Sequence, residues 1–362
     1  MFQHNHYVPV LKWKMGEYQA LNRLSDPAKK KVTPLLEMPP VGFDFESGEA
    51  RESYSSHLGD FGRRLKSKWQ GRPCFVDLKH IPAEVRVSGQ HPLDFVFGQV
   101  DGEGCGAIPV VSLKSDRQFL QSAKKIARLD SRGAALRLSL VDFDTDDLSS
   151  AIEQCLSNMG VTIAEVDLIV DLDAANFIPI KAFVRSLGIM YEMIPTPNRW
   201  RTLTVIGSSY PQTLAGFSAE SMIDRNEWIA YRAFVRSLGR DSRIPTFGDY
   251  AAATPDLVEL DMRLIKPLAK LRYTTDDQWY IAIGSNVRSN GFGQYQDMCR
   301  RLVKKPFFSG RDFSEGDRYI EDCAKGQEKT GNLSTWVWVA TNHHITKVVF
   351  DLSNLYASST GI

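Results

Sequence analysis

The chain has 362 residues, 43% of them hydrophobic and 24% charged, which suits one large core with a smaller unit attached. Lys and Arg total 44 against 43 Asp and Glu, so no overall field exists to gather a polyanion, and wholesale coating of nucleic acid is excluded, leaving local basic patches. Cys74, Cys105, Cys155, Cys299 and Cys323 are far apart and form no Cys-x-x-Cys pair, which excludes a zinc ribbon or thioredoxin-like centre and reads as buried, reduced thiols.

The segment Met1-Phe2-Gln3-His4-Asn5-His6 has no basic stretch ahead of an apolar run, so no secretory signal is expected. Nowhere do 18 apolar residues run together, so no membrane helix is expected and the cytoplasm is the expected compartment. Short apolar runs of β type then recur, each ahead of a helical stretch. Tyr7–Leu11 leads into a helix over Gly16–Leu24, and Val32–Leu36 into a polar loop and a helix over Tyr54–Lys68. Cys74–Leu78 is the third run. Ala107–Leu113 precedes a helix over Arg117–Leu129, Ala134–Leu140 one over Leu148–Met159, and Val166–Leu172 one over Pro179–Leu187. Arg201–Ile206 precedes a helix over Glu220–Leu238, and Ile244–Tyr250 is the eighth run. Gly133, Gly160, Gly188 and Gly239 sit where these helices should stop.

Near-continuous Val/Ile/Leu runs alternating with helices predict parallel strands covered on both faces. Eight units in about 250 residues match a (β/α)8 barrel over residues 1–260. The rival is a doubly wound open sheet, disfavoured because no glycine-rich nucleotide loop follows the first strand. From 261 to 362 the pattern becomes α+β. Ala269–Thr274 and Trp279–Gly284 read as a hairpin, helices follow over Gln294–Lys304 and Asp317–Lys325, a strand over Thr335–Thr341, and a last helix over Val348–Leu355.

The C-terminal part carries a resemblance. Leu271-Arg272-Tyr273-Thr274 and Trp279, Gly331-Asn332-Leu333-Ser334-Thr335-Trp336, and Asn342-His343-His344 resemble the bacteriophage and prophage "beta protein" family. Tyr7–Lys14 with Gly16-Glu17, and Phe247-Gly248-Asp249-Tyr250, are similar to its other signposts, so the resemblance spans nearly the whole chain. It implies mobile elements, prophages and neighbouring anti-phage defence genes, with a protein partner from such a gene. It transfers no catalytic residue.

In a barrel, the C-terminal ends of the strands line the mouth where active sites form. Those positions hold Lys12 and Lys14, Glu37, Asp77 with Lys79 and His80, Lys114, Arg137, Asp171 with Asp173, and Asp249. Strand alternation sets Lys12 with Lys14, Asp77 with Lys79, and Asp171 with Asp173 on shared faces. Glu37, Asp77, His80 and Asp171 are the candidate catalytic groups, and the three carboxylates are the candidates to hold a divalent metal. Lys12, Lys14, Lys79, Lys114, Arg137 and Asp249 are the candidate substrate-binding groups. The competing reading of the same charges is hydration or mutual pairing at strand ends.

His343-His344 on a strand would point to opposite faces and could not share a metal. Gly98, Gly102, Gly104 and Gly106 precede a strand instead of following one, which fits a flexible loop and not a phosphate cradle. Walker A, HExxH and GxSxG sequences are absent, and Lys29-Lys30-Lys31 reads as an exposed basic run. Trp336 and Trp338 would share one face of their strand and pack in a core. Two functions remain: an accessory protein of phage or anti-phage systems that binds a protein partner or nucleic acid, and a barrel hydrolase acting on a phosphate-bearing substrate with metal assistance. Converging carboxylates in an open acidic pocket would favour the second, a closed ring of salt bridges the first.

Overall fold

The computed structural model describes residues 2–257 and 265–357. Contacts divide the chain into two compact units. The first takes the chain up to Trp13, Thr33–Ser208 and Asn226–Tyr250; the second takes Lys14–Val32, Ser209–Arg225 and the chain from Ala251 onward. A boundary between 260 and 261 lies outside the described residues.

The first unit is a closed barrel of eight parallel strands: β1 (Tyr7–Lys12), β2 (Leu35–Glu37), β3 (Cys74–Asp77), β4 (Ala107–Val111), β5 (Ala134–Ser139), β6 (Val166–Asp171), β7 (Thr202–Gly207) and β8 (Thr246–Asp249). Each strand pairs with its neighbours in chain order, and β8 closes on β1 through Tyr7↔Phe247. This is the (β/α)8 architecture, not an open sheet.

Alternation explains its interior. Val8 and Val10, Leu35, Phe75, Val110, Ala135, Ile169, Ile206 and Tyr250 form one buried cluster, one or two residues from each of β1 to β7 and one just past the end of β8. The strands are buried on both faces because helices cover the outside, which is why they read as apolar runs. The helix Arg117–Arg128 is typical: Leu120, Ala123, Ile126 and Ala127 face inward, and Asp116 caps its first turn by accepting from the backbone N–H groups of Gln118 and Phe119. Leu148–Met159 stops at Gly160, whose φ of +65° a side chain would resist.

Several expectations need correction. Gly188 ends nothing; it lies within the helix Ile180–Met193. Gly98 and Gly102 belong to the helix Pro92–Gly102, not to a loop, because Leu93, Val96, Phe97 and Val100 give that segment a buried helical face. The stretch Glu220–Leu238 divides into a strand, Glu220–Asp224, and a helix, Asn226–Ser237, since Ser221, Met222 and Ile223 pair with Ile281, Tyr280 and Trp279 far along the chain.

That strand belongs to the second unit, an antiparallel sheet of three strands in the order Glu220–Asp224, Gln278–Asn286, Leu268–Thr274. The last two form the expected hairpin. Helices Gln294–Leu302, Glu315–Lys325 and Leu333–Ala357 pack a core of Leu271, Tyr273, Tyr280, Tyr295, Met298, Leu302, Ile320, Trp336 and Val339. The segment Thr335–Thr341 is therefore helix, not strand. Its Trp-Val-Trp-Val order imitates a period of two, yet Trp336, Val339, Ala340, His343, His344 and Lys347 are buried at helical spacing. Trp336 lies flat on Tyr295 with ring centres 4.2 Å apart, while Trp338, on another side of the helix, is half-buried beneath Arg23.

Candidate functional site

Strand register brings the site together. Lys12 of β1 pairs with Glu37 of β2, Glu37 with Asp77 of β3, and Ser139 of β5 with Asp171 of β6, so the strand ends fall at one mouth of the barrel. Alternation turns Glu37, Asp77, Arg137 and Asp171 inward above the apolar interior.

Arg137 is the hub. Its Nη1 donates to Asp77 Oδ2 at 2.6 Å and lies 2.9 Å from Glu37 Oε1. Its Nε and Nη2 both donate to Asp171 Oδ2, at 2.9 and 2.6 Å, and Nη2 also lies 2.7 Å from the Tyr250 hydroxyl. Tyr250 donates in turn to Asp171 Oδ2 at 2.8 Å. Lys79 brings a second cation, its Nζ 2.8 Å from Glu37 Oε1, and the His80 imidazole lies 3.5 Å from Glu37 Oε2. The remaining carboxylate oxygens are oriented by backbone: Asp77 Oδ1 accepts from Lys79 N and Asp171 Oδ1 from Asp173 N.

Burial alone would push the Glu37 carboxyl up, but His80, Arg137 and Lys79 outweigh it and hold the group well below the usual glutamate range. Burial pushes the Tyr250 phenol well above its usual value, with Asp171 adding to the rise against the pull of Arg137. Across the neutral range Glu37 is therefore charged and Tyr250 protonated. The floor of the mouth is a locked ion cluster.

Above this floor opens a cavity of about 840 Å³ over β3 to β6. Asp77, Arg137 and Asp171 form its base. Ile81, Pro82, Pro92, Phe119, Leu140 and Val141 give it apolar walls, and Lys79, Lys114, Ser112, Ser115, Ser139, Asp116, Asp142 and Asp173 its polar parts. A volume of several hundred cubic ångströms is typical of small-molecule or side-chain binding sites. Asp173 stands at its edge, exposed, with a φ of +53° that few non-glycine residues adopt.

The structure thus unites Glu37, Asp77, His80, Lys79, Arg137 and Asp171, and puts Lys114 on the cavity wall. Lys12 shares the register of Glu37 and the face of Val8 and Val10. Lys14 does not join them, because the chain leaves β1 there and Lys14 opens the helix Met15–Asn22 of the second unit. Asp249 does not join them either. It points out of the barrel and accepts a hydrogen bond from the Tyr7 hydroxyl, while the next residue, Tyr250, points in. Alternation counted from Gly248 would have found Tyr250. As a metal site the carboxylates are separated by the Arg137 guanidinium, and among the described residues no group of three or more His, Cys, Asp or Glu side chains is set to hold a metal.

Other expectations resolve in the second unit. Lys29 is buried and donates to the carbonyl of Asn22, so the run Lys29–Lys31 is not uniformly exposed. Arg301 and Lys305 both hold Glu220. His343 and His344 are buried in the long helix, with His343 bridging Asp317 and the Thr274 carbonyl at 2.8 Å each and His344 meeting the Thr274 hydroxyl at 2.8 Å.

The fold and mouth define a (β/α)8-barrel protein with an ion-locked floor beneath a large mixed cavity. A family model described as Beta protein matches residues 7–350, and the chain belongs to that family. No curated protein matches it. Among solved structures it is similar to a triosephosphate isomerase from Bartonella henselae, at 10% identity over 68% of this chain and 92% of that one, with a TM-score of 0.34. It is similar also to active domain 2 of a chitinase from Pyrococcus furiosus, at 10% identity over 68% and 84%, with a TM-score of 0.35. Neither likeness bears on activity. No helix among the described residues is long and apolar enough to cross a membrane.

Proposed function

We propose that this chain is a cytoplasmic accessory protein of phage or prophage systems, with a role in anti-phage defence, that works by binding. Its barrel-mouth cavity is the recognition site, and a basic segment of a protein partner is the occupant. One observation carries the reading: the three carboxylates that an enzyme would use as acid, base or metal ligand are each engaged by Arg137. Tied to one shared guanidinium, these carboxylates are not set out as separate acid, base and metal ligand. The lining adds a preference for positive charge. Asp77, Asp116, Asp142, Asp171 and Asp173 outnumber Lys79, Lys114 and Arg137, and Ile81, Pro82 and Val141 offer contact to an apolar stem. Membership of the Beta protein family supports the phage setting.

The test is calorimetric titration of the full chain with short peptides carrying Arg or Lys beside apolar residues, alongside ATP and a single-stranded oligonucleotide. Saturable heats with the basic peptides, reduced by Asp173→Asn, are expected. Saturable binding of ATP or oligonucleotide with none of the peptides would overturn the reading.

The second reading, a barrel hydrolase acting on a phosphate-bearing substrate, is favoured by the place of the cavity at the C-terminal mouth and by Lys79 and Lys114 on its wall. It requires that Asp77→Asn and Asp171→Asn abolish turnover of such a substrate while each variant keeps its fold by melting.

A further inference from the structure

We infer that the helix Ile180–Met193 is the contact face of a weak two-fold dimer of this chain. The helix is unlike its neighbours in the barrel. Of its 14 residues, Leu187 alone is fully buried, although the sequence Ile-Lys-Ala-Phe-Val-Arg-Ser-Leu-Gly-Ile-Met-Tyr-Glu-Met is largely apolar. By contrast, Arg117–Arg128 buries its aliphatic face and turns charge outward. Ile189, 62% exposed, and Ile178, 59% exposed just ahead of the helix, are the two most exposed large apolar side chains among the described residues. At 100° per residue, Ala182, Ile189 and the half-buried Met193 fall on one outward stripe. A scattered exposed apolar residue needs no explanation, but a stripe along one helix face does.

The occupant follows from the charges beside the stripe. Lys181 and Glu192 are both exposed and lie on the same flank, one near each end of the helix. In an antiparallel pair related by a two-fold axis, equal flanks face each other, so Lys181 of one copy meets Glu192 of the other, twice. The same register sets the small Ala182 of one helix against the large Ile189 of the other. The axial offset it leaves between Lys181 and Glu192 is about 3 Å, two residues of helical rise, within reach of both side chains. Gly188 keeps the flank between them open, with nothing within 4 Å of the position a Cβ would take. A second copy thus matches the apolar stripe and the Lys181 and Glu192 charges. Arg185 lies near the axis in both copies, and this one repulsive element, with the small area of a single helix, keeps the association weak.

The experiment is light scattering and sedimentation equilibrium on the full chain over a rising concentration series. The mass is expected to climb from the monomer value of 40.7 kDa toward twice that. Ile189→Glu should hold the chain monomeric with an unchanged melting curve. Lys181→Glu and Glu192→Lys should each weaken dimerisation by about tenfold, since each turns two symmetry-related pairs repulsive, and the double exchange should restore it. A chain that stays monomeric at every concentration overturns the inference. So does a dimer indifferent to Ile189→Glu, or a double exchange that fails to restore what the single changes lose.

Discussion

Arg137 holds three carboxylates from three strands, so its removal should cost far more than one hydrogen bond. Arg137→Met would leave Glu37, Asp77 and Asp171 as buried like charges without their shared counterion. A loss of about 3–5 kcal/mol in urea unfolding is expected, the scale for breaking a buried pair on one side only. Arg137→Lys should recover little, because an ammonium cannot match the fork that reaches Asp77 with one nitrogen and Asp171 with two others. Glu37 gives the pH dependence. Its folded carboxyl is held well below its ordinary value of about 4.3, so its stabilisation is fully present above that value and is lost as the pH falls below it toward the folded value. Unfolding curves from pH 6 downward should show a stability loss that is smaller in Glu37→Gln. An equal loss in both proteins would show that Glu37 does not carry the acid sensitivity.

At the scale of elements, Trp336 tests the helical reading of the C-terminal segment. It is buried flat against Tyr295, and its ring nitrogen donates to the Thr330 carbonyl at 2.9 Å. Trp336→Ala should cost about 3–5 kcal/mol, while Trp338→Ala, half-buried on another side of the helix, should cost clearly less. Equal losses would fit a strand face shared by both rings. The barrel strands were legible in the sequence because burial on both faces leaves long apolar runs, and strand ends fall where those runs stop. The same positions marked Glu37, Asp77, Arg137 and Asp171. Tyr250 was not legible, and Asp249 misled, because a one-residue change of frame swaps inside for outside and an apolar run does not state its frame. The strand Glu220–Asp224 was hidden for a different reason: its partners on Gln278–Asn286 lie more than fifty residues away, and local pattern carries no sign of them. Nor could pattern show that Arg137 stands between the carboxylates, since a ring of charges has the same sequence whether it is open or closed.

At the scale of the whole molecule, charge distribution bears on partners. With Lys29 buried, and Arg301 and Lys305 both held by Glu220, neither the run Lys29–Lys31 nor the basic groups around Arg301 act as one free surface. Affinity for single-stranded nucleic acid should therefore be low and fall only gently as salt rises. A steep salt dependence that is lost on neutralising Arg300 and Lys304 would restore a nucleic-acid role.

The interleaving of the two units also sets an order of synthesis. Lys14–Val32 is made between β1 and β2, and Ser209–Arg225 between β7 and β8, yet both group with a core whose hairpin and helices come from residue 268 onward. While the ribosome works through the barrel, these two segments wait without their partners: the helix Met15–Asn22 makes its main helix contact with Leu333–Ala357, and the strand Glu220–Asp224 pairs with Gln278–Asn286. The nascent chain must carry an unpaired strand and an uncovered helix for more than fifty and more than three hundred residues respectively, a span in which a holding chaperone would find work. A chain cut after residue 257 keeps every barrel strand but not those partners. It should accumulate as aggregate, and removing 14–32 and 209–225 in favour of short linkers should return it to solution; a soluble, cooperatively melting truncation would show instead that the two segments are harmless on their own.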